Sequence, residues 1–193
     1  MQKDISKKGF TLVELLVSVA LFSIVMMISI GSLLTLVDAN RKVQALRVVT
    51  DNVAFAMDTM TRSIRTGYNY SCPASASSVN SANTEVGPDC SGGGDGIEFT
   101  NSDGTDRIGY KYDATLQAVL RSVDGSSWER ITAPEARIEK LRFFVTGTTV
   151  NDAFQPIVTV ILEGAAGTSS KASTLGSFNV QTTATQRVLD TIN

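Results

Sequence analysis

The chain contains no histidine and only two cysteines among its 193 residues. Without histidine it lacks the side chain that serves most often as general base and as metal ligand. Two thiols alone are too few for a zinc site, and no histidine is available to activate either of them as a nucleophile. The formal net charge of -2 argues against nucleic-acid binding, which uses a basic face. We therefore expect no enzyme, no cofactor, no metal and no nucleic-acid partner.

A long hydrophobic run near the N-terminus contains a single charged residue. From Phe10 to Val37 only Glu14 is ionisable, and the run exceeds the ~20 residues that a helix needs to cross a bilayer. It is too long for a conventional signal peptide, whose apolar region spans ~7–15 residues, and no small-x-small cleavage site follows it. A plain membrane anchor has the right length but leaves Glu14 unexplained, because a carboxylate deep in a bilayer costs roughly 2.5–3.5 kcal/mol.

The residues at the start of this run form a recognisable motif. The segment Gly9-Phe10-Thr11-Leu12-Val13-Glu14 follows two lysines and resembles the processing site of bacterial type IV prepilins and pseudopilins. The resemblance implies that a membrane-bound prepilin peptidase cleaves after Gly9 and that the new N-terminus, Phe10, is methylated. It also implies that Glu14 pairs with the α-amine of a neighbouring subunit during assembly. Alternatively Glu14 only complements its own helix N-terminus, a contribution of ~0.3–1 kcal/mol, and both roles are compatible.

The distribution of lysines predicts the orientation in the membrane. Residues 1–9 form a net-basic leader, and positive charges stay on the cytoplasmic side. We expect a single pass through the inner or cytoplasmic membrane, with the C-terminal domain periplasmic or extracellular and incorporated into a filament. The partners implied by the resemblance are the prepilin peptidase, other pilin or pseudopilin subunits and an inner-membrane assembly platform.

The hydrophobic pattern continues as a helix beyond the membrane-spanning part, residues 10–37. No proline interrupts residues 38–66, where apolar residues recur at spacings of three and four, as on one face of a helix. These residues are Val43, Leu46, Val49, Val53, Met57, Met60 and Ile64. We predict one helix from about Thr11 to Thr66, with Gly67 as its C-cap, whose second half packs on the extracytoplasmic domain.

The segment that follows the helix, residues 67–95, predicts a loop because Ser, Asn, Gly and Pro dominate and no periodicity remains. Cys72 and Cys90 bracket most of it. In an exported domain two cysteines predict a disulfide. The acidic, glycine-containing segments 91–96 and 101–106 offer oxygen ligands for Ca²⁺. Because they lack the EF-hand spacing of such ligands, we interpret them as solvated turns.

Residues 96–193 show the alternation of β-strands, about six in number, and predict an extracytoplasmic β domain. Helix, loop and strands together predict an α+β fold with the long helix packed on an antiparallel sheet, as in type IV pilins. The strands also resemble, more weakly, those of minor pseudopilins of the J/W type. That resemblance rests on Tyr110 to Asp113, Arg121, Leu141 to Phe143, Val180 to Thr183, and Gln186 with Arg187.

These observations predict a minor pilin or pseudopilin, a structural subunit of a type IV pilus or type II secretion-like filament. The alternative is a membrane-tethered extracytoplasmic binding module that never assembles. Glu14 separates the two hypotheses, since only an assembling subunit needs a carboxylate inside its apolar helix.

Overall fold

The computed structural model of the chain describes residues 9–73, 87–125, 127–149, 154–166 and 176–187. Within these residues one helix is followed by nine strands. They are α1 (Leu12–Thr66), β1 (Tyr68–Ser71), β2 (Cys90–Gly94), β3 (Gly96–Thr100), β4 (Arg107–Asp113), β5 (Ala118–Val123), β6 (Trp128–Arg130), β7 (Ala136–Thr146), β8 (Ile157–Ala166) and β9 (Ser177–Thr185). The predicted leader lies outside the described residues except for Gly9.

Helix α1 is continuous over 55 residues, with the bounds that the sequence predicted. It passes through Gly31 without a break, and it ends where the N–H of Gly67 donates to the carbonyls of Ser63 and Ile64, both at 3.1 Å. The buried hydroxyl of Tyr70 lies 2.6 Å from the Ile64 carbonyl and 2.7 Å from that of Gly67, so it hydrogen-bonds to the backbone at the helix end. The chain divides into two compact units, Met1–Gln44 and Ala45–Asn193, and α1 contributes to both.

The strands form two antiparallel sheets. A five-stranded sheet has the order β1-β3-β4-β5-β6, and a four-stranded sheet has the order β2-β7-β8-β9. The α+β class is therefore confirmed. The division into two sheets was not predicted, because alternation in a sequence reveals which residues face a core and does not reveal which strands pair.

The amphipathic half of α1 contributes to the hydrophobic core of the second unit, together with both sheets. Its buried residues are Val49, Val53, Ala56, Met57, Met60 and Ile64. Two members of the predicted stripe do not join them, since Val43 is 53% and Leu46 38% exposed. The described strands cover the helix only from Val49 onwards, which a periodic pattern in the helix alone could not show.

A bulge in β7 keeps both of its halves facing the core. The pairing of β7 with β8 shifts between Ile138 and Lys140. Ile138 and Leu141 are both buried although they are an odd number of residues apart, so in a regular strand one of them would face outwards. The extra residue restores the inward direction and lets Phe143 and Val145 continue the core.

The prediction of a loop over residues 67–95 is wrong at both ends of this segment. Strand β1 pairs with β3, and β2 pairs with β7, while residues 74–86 lie outside the described residues. The sequence of β2, Cys-Ser-Gly-Gly-Gly, has little intrinsic preference for a strand. It becomes one because the neighbouring strand β7 supplies hydrogen-bond partners, which no local pattern reveals.

A buried arginine holds β1 against its sheet. Arg107, on β4, is 5% exposed, and its Nη1 donates to the carbonyl of Asn69 at 2.8 Å and to the hydroxyl of Thr100 at 3.2 Å. Burial lowers the pKa of Arg107, while the charge of nearby Glu98 acts in the opposite direction. The guanidinium therefore links three strands, β1, β3 and β4, at the edge of the five-stranded sheet.

An aspartate fixes the segment that leads into β2. Oδ1 of Asp89 accepts the backbone N–H of Thr148 at 2.8 Å, and the Thr148 hydroxyl lies 2.9 Å from the same oxygen. The backbone N–H of Thr148 is the main cause of a lowered pKa of Asp89, against a smaller opposing effect of burial. The folded state therefore prefers the ionised carboxylate.

This preference predicts a pH dependence of stability. Because the pKa of Asp89 is lower in the folded state, the ionised carboxylate stabilises the fold. This stabilisation is complete above the pKa of the unfolded state, about 3.9, and is lost as the pH falls through the pKa of the folded state. We expect Asp89→Asn to remove this contribution. The difference in free energy of unfolding between wild type and variant should be constant above about pH 5 and shrink below pH 4. Denaturant titration across this range measures it, and a difference that grows on acidification would contradict the assignment.

Candidate functional site

The start of α1 is shaped by a threonine that caps it. Gly9, Phe10 and Thr11 precede the helix, and the hydroxyl oxygen of Thr11 accepts the backbone N–H of Glu14 at 3.2 Å. The first helical hydrogen bond runs from the N–H of Leu15 to the carbonyl of Thr11, also at 3.2 Å. Thr11 is thus the N-cap and Glu14 the third helical residue. This role of Thr11 was not predicted, although Thr-x-x-Glu before an apolar run is the signature of a capping box.

Glu14 occupies the first turn of α1, where a negative charge complements the helix dipole. Its side chain is exposed, and Phe10 is 83% exposed. Among the residues that the structure describes, no basic side chain forms an ion pair with Glu14. The carboxylate is therefore free to meet a cation from another molecule.

The apolar run has no cover from the rest of the described chain. Every large hydrophobic side chain from Leu12 to Val37 is between 38% and 77% exposed. Burying one such side chain contributes about 1.5–3 kcal/mol, so leaving the whole run in water would cost tens of kcal/mol. This exceeds the ~5–15 kcal/mol by which a domain is stable. The run therefore requires an apolar environment from outside the chain.

Four of the hydroxyl side chains inside this run are hydrogen-bonded within their own helix. The hydroxyls of Ser18, Ser23, Ser29 and Thr35 each donate to the backbone carbonyl four residues earlier, at 2.7–3.0 Å. A hydroxyl that is satisfied within its own helix can face lipid without an unpaired polar atom. Within the described residues, α1 is the one helix with the length and composition to span a membrane. Glu14 is thus the one ionisable group in the run.

The two cysteines form the expected disulfide, and the structure shows what it connects. Cys72 follows β1, an edge strand of the five-stranded sheet, and Cys90 begins β2, an edge strand of the four-stranded sheet. Both sulfur atoms lie 3.5 Å from the carbonyl oxygen of Phe143 on β7. The bridge therefore joins the edges of the two sheets.

Arg142 binds the glycine-rich strand β2 through its guanidinium group. Its Nη2 donates to the carbonyls of Gly92 and Gly93 at 3.0 and 2.9 Å, and its Nη1 lies 2.8 Å from Oδ1 of Asp95. Asp95 is thereby engaged in an ion pair at the end of β2. Disulfide and guanidinium together fix a segment whose own residues favour a strand only weakly.

Of the two acidic segments that the sequence offered for Ca²⁺, residues 101–106 form the expected turn, whereas the turn expected at 91–96 is wrong because most of these residues belong to strands β2 and β3. Asp106 and Asn101 bond each other across the turn between β3 and β4, with 3.1 Å between the Asn101 amide nitrogen and Asp106 Oδ2. In the part of the chain that the structure describes, no three His, Cys, Asp or Glu side chains lie together as metal ligands.

Comparison with known proteins identifies the N-terminus. Residues 5–30 match the family described as the prokaryotic N-terminal methylation motif. This match supports a type IV pilin-like protein. It covers Gly9, Phe10, Glu14 and the apolar run as far as Ile30, and it leaves the β strands unassigned. No curated protein and no solved structure matches the chain, so the J/W resemblance of the strands stays a prediction.

The contribution of the disulfide can be measured directly. Its ring spans a sequence separation of 18 residues, for which loop closure predicts a stabilisation of about 3 kcal/mol. We expect Cys72→Ala/Cys90→Ala to lower the free energy of unfolding by about that amount. The single tryptophan of the chain, Trp128, reports unfolding by fluorescence in neutral detergent. Reductant should reproduce the loss in the wild type and change nothing in the variant; equal stabilities without reductant would contradict the structural role.

Proposed function

We propose that this chain is a minor pilin or pseudopilin, a structural subunit of a type IV pilus or type II secretion-like filament. One observation supports this above the others. Glu14, a lone carboxylate, begins an exposed apolar helix directly inside the methylation motif, and among the described residues no side chain pairs with it. A helix of this kind requires both an apolar environment and a cation, and an assembly of like subunits supplies the two together.

The chemistry of processing provides that cation. Cleavage after Gly9 by a prepilin peptidase would free an α-amine on Phe10, and methylation would leave it positively charged. Glu14 lies four residues further along, about 6 Å in helical rise. An acid and an amine at nearly the same depth on each subunit allow the amine of one chain to pair with Glu14 of its neighbour. Assembly then offsets the cost of placing the carboxylate in an apolar medium.

The remaining assignments follow from this processing. Residues 1–9 are the cytoplasmic leader, with Lys7 and Lys8 on the inner side. Residues 10–37 are the transmembrane and assembly helix, and 38–66 are its amphipathic continuation. Residues 67–95 and 96–193 form the extracytoplasmic part. The filament partners would be other pilin-like subunits, delivered through an assembly platform in the inner membrane.

The strand resemblance further suggests a minor subunit of the J/W type. Its segments lie on β4, β5, β7 and β9 and, for Gln186 and Arg187, directly after β9, so they involve both sheets. Tyr110 and Phe143, two of its aromatic residues, are fully buried in the core. This resemblance supports a structural similarity of the domain and leaves the filament system open.

Replacing Glu14 tests the proposal. We expect Glu14→Ala to remain in the membrane and to lose at least tenfold in incorporation into filaments, because the subunit's carboxylate is gone. Quantitative immunoblotting of sheared filaments against membranes of the producing cells measures this ratio. Ser18→Ala is the matched control, since it lies one turn away and its hydroxyl bonds only its own helix.

Mass spectrometry of the same samples separates assembly from processing. The wild type and the control should both begin at methylated Phe10. A chain that retains its leader would overturn the proposal, and so would a Glu14→Ala subunit that is incorporated as well as wild type. The second result would leave a membrane-tethered binding module as the better description.

A further inference from the structure

A cleft with an excess of positive charge lies at the end of α1 in the second unit. Its volume is about 260 Å³, and it is lined by Asp58, Thr61, Arg62, Arg65, Thr66 and Arg187. The first five residues recur at spacings that place them on one face of the helix. Arg187 follows β9, and its backbone N–H donates to the carbonyl of Arg65 at 2.8 Å. This hydrogen bond fixes the two sides of the cleft to each other.

The charges in the cleft are not balanced within the described chain. Arg62 pairs with Asp58, one turn earlier, at 3.1 Å. Arg65 and Arg187 form no ion pair with any residue that the structure describes. The C-terminus of a helix contributes only about half a negative charge, which is less than the two unpaired guanidinium groups. A pronounced cation excess thus persists on a chain whose overall net charge is negative.

The hydrogen-bond donors that remain available in the cleft indicate which kind of ligand it can bind. The hydroxyl of Thr61 donates to the carbonyl of Met57 at 2.7 Å, and that of Thr66 lies 3.2 Å from the carbonyls of Arg62 and Ser63. Both hydroxyls are therefore used within the helix. The guanidinium groups remain as free donors, and their planar geometry matches a carboxylate through two parallel hydrogen bonds.

We propose that this cleft binds an acidic segment of a partner subunit, with carboxylates paired to Arg65 and Arg187. This inference rests on the proposed function, because a filament subunit meets neighbours through its extracytoplasmic domain. The cleft is open and its arginines are exposed, so a single free anion gains little there. Carboxylates carried on one polypeptide bind both cations together and add further contacts along its surface.

Binding of an acidic peptide to the purified full chain tests this inference. The probe is N-acetylated tetra-aspartate, titrated by calorimetry into the protein in neutral detergent at low salt. An exposed ion pair changes affinity by up to about fivefold, so we expect Arg65→Gln/Arg187→Gln to weaken binding roughly tenfold. Raising sodium chloride from 50 to 500 mM should weaken wild-type binding as well, because exposed charges are screened.

Arg41→Gln/Arg47→Gln is the matched control. It removes the same charge from exposed positions of the same helix, outside the cleft, and should change the affinity less than twofold. The inference is overturned if both double variants weaken binding equally, if inorganic phosphate binds as tightly as the peptide, or if a single-stranded oligonucleotide binds more tightly. Equal unfolding midpoints of the two variants establish that the folds are intact. Because binding is measured without filaments, a failure here is distinguishable from a failure of Glu14-dependent assembly.

Discussion

The exposed apolar segment at the start of α1 dictates the environment in which this chain is stable. From Leu12 to Val37 the large side chains remain exposed, and the hydroxyls of Ser18, Ser23 and Ser29 are satisfied by the helix backbone. Glu14 is the one ionisable group in the run. The hydrophobic effect therefore favours an apolar environment for the segment, and in the proposed assembly a cation from a neighbouring subunit would offset the cost of Glu14 there.

The second half of α1 is part of a folded domain. The same α1 that is bare at its start is buried from Val49 to Ile64 in a core built with two sheets. Tyr70 hydrogen-bonds to the backbone at the helix end, the Cys72–Cys90 bridge joins the edges of the sheets, and Arg142 binds the glycine-rich edge strand β2. The β domain is thus attached to α1 through packing, so a helix that joins an assembly brings a folded domain with it.

Features that depend on local pattern were predictable from the sequence, and features that depend on pairing were not. Apolar spacing predicted α1 and its bounds, and the cysteine content of an exported domain predicted the disulfide. Strands β1 and β2 were missed because their partners β3 and β7 supply their stability. The bulge after Ile138 could not be predicted from a strict alternation of apolar and polar residues. The exposure of Val43 was not predictable either, because periodicity in a helix does not show which of its residues the strands bury. The backbone of Arg187 bonds that of Arg65 because β9 ends beside the C-terminus of α1. The two residues are more than a hundred positions apart in the sequence, so no local pattern predicts this contact.

The central claim, that lipid or other subunits surround the apolar run, can be tested most directly by photo-crosslinking from position 27. Met27 is 77% exposed, and a photoreactive methionine analogue there would sample what surrounds the helix. Met26, Met57 and Met60 are changed to leucine for this experiment, and Met1 is kept as the start residue. Irradiation of native membranes and filaments followed by mass spectrometry identifies the adducts. The account predicts lipid adducts in membranes and adducts with the apolar helices of other subunits in filaments. Adducts with the chain's own residues 45–193 as the main product would contradict it.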